Sequence, residues 1–305
     1  MIWLAKGIMG WSWLLVPAIV LLLYWWGRAP RRWWRHLLYG LGVGVLLLGS
    51  YMRFIEPQII TVAEHPLSLP GFTPSRPVRL ALLSDLHLGA YKSPAFLRRV
   101  VETLQQQAVD AVLIAGDFTH AITEEQLPEY FAPLQALTMP VYAVLGNHDL
   151  PSSSGFTGVE VAQALRSVGV QVIDEQAREL SLGGENLTLI GLGDESYYPV
   201  NTALATSTPP EESVIALSHS PDIAYQLPQG HTLDLLLSGH THGGQVRIPP
   251  FYHWMIPSAY GFDHGSYTID GLPLFITTGL GEMALPIRLG VPPVIDLFTL
   301  STHNN

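Results

Sequence analysis

The order of apolar and polar positions divides the chain into three parts. Two long, almost uncharged runs come first, Gly7–Trp26 and Leu37–Phe54, and each approaches the ~20 apolar residues that a helix needs to span a bilayer. A proline-rich stretch follows, and from residue 78 onward short apolar runs alternate with helix-like patterns. The pattern predicts a transmembrane hairpin over 1–56, a linker over 57–77 and a globular domain over 78–300.

The segment between the two apolar runs, 27–36, is basic. Its arginines are Arg28, Arg31, Arg32 and Arg35. One pair of tryptophans, Trp25 and Trp26, precedes it, and a second pair, Trp33 and Trp34, lies within it. Basic loops stay in the cytoplasm and tryptophans collect at membrane interfaces. We therefore expect a multi-pass anchor in a bacterial plasma (inner) membrane, with the globular domain outside the cytoplasm. A signal peptide is the alternative for the first run, and a second run that only lies at the interface would leave the domain inside.

In the globular part, short apolar runs predict buried strands and longer amphipathic patterns predict helices. The predicted strands are Val78–Leu83, Ala111–Ala115, Val141–Leu145, Leu189–Leu192, Val214–Leu217 and Leu233–Leu237. The predicted helices are Pro94–Gln107, Glu124–Leu137, Thr157–Ser167 and Pro221–Leu227. Hairpins are expected at Leu180–Ile190 and at Tyr267–Ile276. This alternation predicts an α/β domain in which two sheets are layered between helices.

Composition narrows the chemistry that this domain can perform. The formal net charge is -10, so a general nucleic-acid-binding surface is not expected. The chain has no cysteine, which excludes disulfides, thiolate metal sites and a cysteine nucleophile. Any metal ion must therefore be held by histidine, carboxylate or amide side chains.

Polar side chains follow five of the predicted strands at the point where each strand ends. They are Asp85 and His87, Asp117, Asn147 to Asp149, His219, and His240 with His242. Sites in open α/β sheets form outside the carboxyl ends of the strands. Imidazoles and carboxylates without sulfur suit a pair of divalent ions about 3.5–4 Å apart that share one carboxylate. The sequence therefore predicts a site for two metal ions.

Five short motifs carry a family resemblance. They are SDLHLG (84–89), GDFTH (116–120), GNHD (146–149), SHSPD (218–222) and SGHTHGGQ (238–245). Their types and their order resemble the successive motifs of the calcineurin-like metallophosphoesterase family. The resemblance implies a two-sheet β-sandwich flanked by helices, and hydrolysis of a phosphate ester with two divalent ions, which would be Mn, Fe or Zn.

The resemblance also implies a role for each motif residue. The residues implied for the first cation are Asp85, His87 and His242, and those implied for the second are Asn147, His219 and His240. Asp117 would bridge the two cations. His148 would contact the phosphoryl group, and Asp149 would orient His148. The sequence departs from many relatives at His120, which replaces a second Asp and for which we expect a position at the rim.

The last metal motif and the stretch TTGLGEMALPIRLGVPP (277–293) resemble membrane-associated bacterial phosphodiesterases and the enzymes that cleave UDP-2,3-diacylglucosamine. The expected function is cleavage of a phosphodiester or pyrophosphate bond in a lipid-linked or cell-envelope substrate. A broad phosphomonoesterase and a non-catalytic metal-binding scaffold are the alternatives. An extracytoplasmic domain would count against UDP-diacylglucosamine, because that lipid is made in the cytoplasm.

Further candidates lie after the last metal motif. Arg247 and Arg288 have the guanidinium geometry that suits phosphate, although a structural ion pair is the alternative for Arg288. Trp254 belongs to the apolar loop 248–262, which would contact an acyl chain or the bilayer or fill a buried gap. Three histidines outside the motifs, expected at the surface or in the linker without a role, are His231, His264 and His65.

Overall fold

The computed structural model describes residues 10–28, 32–151, 155–194, 199–209 and 212–302. Its α-helices are α1 (Leu15–Arg28), α2 (Trp33–Ser50), α3 (Pro94–Gln105), α4 (Leu127–Phe131) and α5 (Val159–Ser167). Its strands are β1 (Thr61–Leu67), β2 (Val78–Leu83), β3 (Leu88–Gly89), β4 (Ala111–Ala115), β5 (Thr119–His120), β6 (Val141–Val144), β7 (Val170–Val172), β8 (Gln176–Leu182), β9 (Glu185–Leu192), β10 (Val214–Ser218), β11 (Leu235–Ser238), β12 (Gly265–Ile269), β13 (Leu272–Ile276) and β14 (Val294–Leu300).

Helices α1 and α2 pack side by side in opposite directions. At one end the indole N–H of Trp26 donates to His36 Nδ1 at 2.8 Å, and at the other Arg53 Nε donates to Ser12 Oγ at 3.1 Å. Among the described residues, the segments that are long and apolar enough to cross a bilayer are Gly10–Arg28 and Trp33–Gln58. The parts of the predicted hairpin at 1–9 and 29–31 lie outside the described residues.

Two six-stranded sheets form the core of the rest of the chain. The first has the order β1-β14-β2-β4-β6-β7 and the second β12-β13-β11-β10-β9-β8. Along β2, Leu80 and Leu82 pack in the core between the sheets, whereas Ala81 and Leu83 pack in the core that also contains α3, α4 and α5. The predicted α/β fold, with two layered sheets flanked by helices, is confirmed.

The first sheet contains three strands that the sequence did not predict, β1, β7 and β14. Strand β1 pairs in parallel with β14, and β14 runs antiparallel to β2. The prediction of a linker is therefore wrong for Thr61–Leu67. Pro66 lies within β1, which is compatible with a strand because β1 is at the edge of its sheet and needs hydrogen bonds on one side only.

Two predicted helices also differ from the structure. The segment predicted as one helix over 124–137 is a 3-10 turn, the short helix α4 and a second 3-10 turn. Pro128 and Pro133 lack a backbone N–H, which interrupts the helical ladder. The segment 221–227 is a 3-10 turn rather than an α-helix. Both predicted hairpins are confirmed, as β8–β9 and β12–β13.

Candidate metal centre

The strand ends bring the predicted ligands into two adjacent groups. In the first group, His242 Nε2 lies 3.1 Å from His87 Nε2 and 3.4 Å from Asp85 Oδ1. The distance from His87 Nε2 to Asp85 Oδ1 is 3.9 Å. All three side chains are buried. We call this group the first subsite.

The second group gathers around His219, and we call it the second subsite. Nε2 of His219 lies 2.9 Å from His240 Nδ1, 3.1 Å from Asn147 Oδ1 and 3.3 Å from Asp117 Oδ2. The other ring nitrogen of His219 lies 2.8 Å from the carbonyl oxygen of Ala115. This bond requires a proton on Nδ1 and so leaves Nε2 free to act as a ligand.

Asp117 lies between the two subsites. Its Oδ2 is 3.3 Å from His219 Nε2 and 3.4 Å from His87 Nε2. Its Oδ1 accepts the backbone N–H of His148 at 2.8 Å. One carboxylate oxygen thus faces ligand nitrogens of both subsites, which is the position that a bridging ligand requires.

Burial sets the protonation of the ligand side chains. It lowers the pKa of His87 and of His242 well below the usual value and lowers that of His240 to about 4. These imidazoles are therefore neutral at pH 7, which is the form that binds metal. Burial opposes a proton on His219, but the Asp117 and Asp85 carboxylates outweigh it and raise its pKa well above the usual value. A cation bound there replaces that proton.

The arrangement of donor atoms fits two divalent cations. Asp85 Oδ1 is a buried carboxylate oxygen without a hydrogen-bond partner, and it faces the bare Nε2 atoms of two histidines. Buried polar atoms rarely remain unpaired unless an ion or water satisfies them. The ligand atoms of Asp85, His87 and His242, and likewise those of Asp117, His219 and His240, lie within 4.8 Å of one another, as they must around an ion bound at about 2.0–2.2 Å. Nitrogen and oxygen donors without sulfur suit Mn, Fe or Zn.

The backbone at the predicted ligands is strained. Left-handed φ angles occur at Asp85 (52°), His87 (43°), Asp117 (57°), His240 (70°) and His242 (51°). Non-glycine residues in this region cost on the order of 1–3 kcal/mol each and cluster at functional sites. The sharp turns that follow each strand aim these side chains at a common point. Gly146 allows the close approach, because a Cβ there would lie 2.3 Å from Asp117 Oδ1.

His148 and His120 line the space beside the first subsite. The ring of His148 lies edge-on to that of His87, with centroids 4.8 Å apart, and 5.6 Å from that of His120. His148 is half-buried. His120, expected at the rim, is instead 5% exposed and stacks near Tyr91. Burial lowers the pKa of His120 to about 4, so its imidazole is neutral.

Asp149 holds backbone rather than the His148 ring. Its carboxylate accepts the N–H groups of Phe118, Thr119 and Gly146 at 3.0–3.1 Å, and the Thr119 hydroxyl at 3.1 Å. These bonds join the turn that carries Asp117 to the turn that carries Asn147 and His148. Asp149 was predicted to orient His148. Its role is instead to join these two turns, because four other donors already occupy its carboxylate.

The three side chains predicted to contact substrate, Arg247, Arg288 and Trp254, differ in their burial and in the groups that they bind. Arg247 forms a two-pronged ion pair with Asp263, at 2.9 and 3.0 Å, so a phosphate would have to compete with that carboxylate. Arg288 is fully buried and donates to backbone carbonyls, which corrects its assignment to substrate in favour of the structural alternative. Trp254 is 80% exposed. In the loop 248–262, the other exposed large apolar side chains are Ile248, Met255 and Tyr260.

The three histidines that were predicted to have no role lie away from the metal centre. His65 lies in β1, not in a linker, and its Nε2 is 2.8 Å from Asp296 Oδ1. His264 is partly exposed beside Asp263, and His231 Nδ1 accepts the backbone N–H of Leu233.

The sequence did not predict that the turn at residues 278–281, behind Asp85, belongs to the site. Gly281 N donates to the carbonyl oxygen of Asp85, and a Cβ at Gly279 would lie 2.7 Å from the Cβ of Asp85. The glycine-rich letters TTGLG were the available signal, because glycine is required where another backbone approaches closely.

Comparison with known proteins identifies the same family that the five motifs resemble. The model of the calcineurin-like phosphoesterase family matches residues 78–244. The chain is 29% identical over 296 residues to the uncharacterized metallophosphoesterase YkuE of Bacillus subtilis (strain 168), covering 90% of this chain and 98% of that one. It is 27% identical to the phosphodiesterase YaeI of Escherichia coli (strain K12), with 82% and 92% covered. It is 25% identical to the UDP-2,3-diacylglucosamine pyrophosphatase LpxG of Chlamydia trachomatis, with 83% and 92% covered.

Proposed function

Because this chain belongs to the calcineurin-like phosphoesterase family, we propose that it is a membrane-anchored hydrolase that cleaves a phosphodiester or pyrophosphate bond. The observation that carries the proposal is the position of Asp117, whose Oδ2 faces a ligand nitrogen of each subsite at 3.3 and 3.4 Å. One carboxylate shared between two cages of imidazole and oxygen donors is the arrangement that holds two divalent ions.

The proposed roles follow from the surroundings of each side chain. Two groups would hold the cations: Asp85, His87 and His242 in one, and Asn147, His219 and His240 in the other, with Asp117 shared. When bound, the cations supply Lewis-acid activation of water and of the phosphoryl oxygens. His148 is half-buried beside the first subsite, where its ring can donate a hydrogen bond to a phosphoryl or leaving-group oxygen. Asp149 keeps the turns of Asp117 and Asn147 together.

The membrane proposal rests on the two apolar segments, Gly10–Arg28 and Trp33–Gln58. Residues 1–56 would form the anchor and 78–300 the catalytic domain, with β1 as an added edge strand in front of it. The exposed apolar side chains of the loop 248–262 would contact an acyl chain or the bilayer surface. A relative that bears the name UDP-2,3-diacylglucosamine pyrophosphatase supports a lipid-linked or envelope substrate. The nitrogen and oxygen donors without sulfur support Mn, Fe or Zn as the native ion.

The direct test is metal content together with turnover of purified full-length protein. We expect about two equivalents of transition metal, and faster hydrolysis of bis-p-nitrophenyl phosphate than of p-nitrophenyl phosphate. The reverse order of rates would favour the broad phosphomonoesterase. Bound metal without turnover of either ester, or of a pyrophosphate-linked nucleotide lipid, would favour the non-catalytic scaffold.

A separate experiment decides on which side of the membrane the globular domain lies. The basic segment between α1 and α2 predicts a C-terminus outside the cytoplasm. We expect a C-terminal alkaline phosphatase fusion to be active and a C-terminal green fluorescent protein fusion to be dark. The opposite pair of results would place the domain in the cytoplasm and make UDP-2,3-diacylglucosamine a reasonable substrate to test first.

A further inference from the structure

A glycine turn, Thr278–Gly281, lies directly behind the first subsite. Gly281 N donates to the carbonyl oxygen of Asp85, and Leu280 N donates to that of Ser84 at 3.0 Å. Together with the close packing of Gly279 against Asp85, these bonds fix the backbone at a residue whose φ of 52° is strained. The position of the Asp85 carboxylate therefore depends on the position of this turn.

Arg288 holds the glycine turn from behind. Its guanidinium donates to the carbonyl oxygens of Thr278 (3.1 Å), Gly279 (3.2 Å), Gly281 (2.5 Å) and Val291 (2.8 Å). The side chain is fully buried. Burying a charge is costly unless its donors are satisfied, and a planar fork with several fixed donors can gather these carbonyls at once. A lysine has no such fork.

Two buried carboxylates accompany this arginine. Glu282 Oε1 lies 3.6 Å from Arg288 Nε and 2.9 Å from Lys92 Nζ. Burial lowers the pKa of Lys92 to about 8, against the opposing effect of Glu282. Glu56 is also buried and accepts the backbone N–H of Val291 at 2.7 Å. The cluster thus places Glu282 beside Arg288 and a second buried carboxylate, Glu56, on Val291, whose carbonyl oxygen Arg288 also binds.

The same cluster reaches the end of the second apolar segment. We call residues Met52–Pro57 the anchor foot. Its contacts are a bond from Arg288 N to Met52 O at 3.0 Å, the bond from Val291 N to Glu56, and a bond from Lys92 Nζ to Pro57 O. The segment that leaves the apolar helix is therefore joined, through Arg288 and the glycine turn, to the backbone of Asp85.

We propose that Arg288 and the anchor foot are positioning elements of the first subsite, so that the affinity for the first cation depends on the segment that connects the domain to its apolar hairpin. This inference rests on the proposed two-cation site but not on the identity of the substrate. The second subsite has its own backing, from Ala115 O and Asp149. Its link to the cluster is one hydrogen bond, from His240 N to Asp85 Oδ2 at 3.0 Å, so it should depend on the cluster much less than the first subsite does.

The test compares Arg288→Lys with Arg178→Lys, a control on the exposed strand β8. Full-length protein in detergent is stripped of metal and titrated with Mn²⁺, and free ion is followed by electron paramagnetic resonance. Supporting partners of metal ligands contribute about 10–100-fold to affinity. We expect Arg288→Lys to weaken one of the two binding events by that factor and to leave the other within about twofold, whereas Arg178→Lys changes neither.

A second, milder variant separates positioning from folding. Glu56→Ala removes the acceptor of Val291 N from the anchor foot and leaves Arg288 in place. We expect a selective weakening of the same binding event, with far-ultraviolet circular dichroism unchanged. Wild-type affinities in both variants, or equal weakening of both events, would overturn the inference. Wild-type protein that binds no Mn²⁺ would instead overturn the proposed two-cation function.

Discussion

The two subsites of the metal centre contain similar ligands in different surroundings. Asp85, His87 and His242 are buried and backed by the glycine turn. In the second subsite His240 and Asn147 are half-buried. From this difference we expect the two subsites to behave differently. The closed subsite would retain its cation and organise the backbone. The open subsite would admit substrate and exchange its cation more readily. Four experiments test this asymmetry.

The largest effect is expected where the subsites meet. Asp117→Ala removes the only carboxylate among the described residues whose oxygen faces ligand nitrogens of both subsites. We expect loss of both cations and a fall in kcat/KM of more than about 10³-fold, measured by metal analysis and diester hydrolysis. A variant that kept either cation at wild-type affinity would mean that the subsites are independent.

Removing one ligand from each subsite distinguishes them. His242→Ala should lower affinity at the first subsite and His240→Ala at the second, and each should reduce turnover by roughly 10³-fold because in-line displacement uses both ions. During dialysis against a weak chelator, wild type should lose the second cation first. Simultaneous release of both cations would contradict the proposed asymmetry.

We propose that His148, which belongs to neither cage, contributes to the chemistry. His148→Ala should keep two cations and lower kcat on a phosphodiester by about 10²–10³-fold, since a positioned hydrogen-bond donor or general acid is worth that much. His231→Ala, at a site far from the metal centre, is the control. Full turnover by His148→Ala would show that the role proposed for it is wrong.

The smallest effect is expected from Asp149, which supports the backbone of the second subsite. Asp149→Asn loses one acceptor oxygen for the four donors that it now binds. We expect an affinity loss of about 10-fold at the second subsite and little change at the first. The measurement is the same Mn²⁺ titration, and a larger loss at the first subsite would reverse the comparison.

The sequence predicted which polar side chains come together, because the chemistry of a metal site leaves few choices. Every predicted ligand from Asp85 to His242 lies in one of the two groups, since polar residues at parallel strand ends meet at one edge. Buried strands such as Ala111–Ala115 were equally readable, because a short, continuous apolar run between turn residues is typical of a strand that is covered on both faces.

Other features depended on tertiary contacts that no local pattern contains. Strand β1 has alternating, half-exposed residues and a proline, so only its pairing with β14 makes it a strand. Arg288 resembled a phosphate ligand because its sequence neighbours do not reveal that four backbone carbonyls surround it. The left-handed backbone at Asp85 and His87 is likewise set by the turn near residue 280, almost two hundred positions away.

The place of β14 has a consequence for the order of synthesis. This strand, Val294–Leu300, lies between β1 and β2, although more than two hundred residues separate it from them along the chain. While the ribosome is still producing the middle of the protein, the first sheet lacks an interior strand and β1 has no neighbour. The apolar hairpin can enter a bilayer early, but the domain must wait for its last residues before it closes, so a nascent chain released at about residue 290 would be a target for proteases.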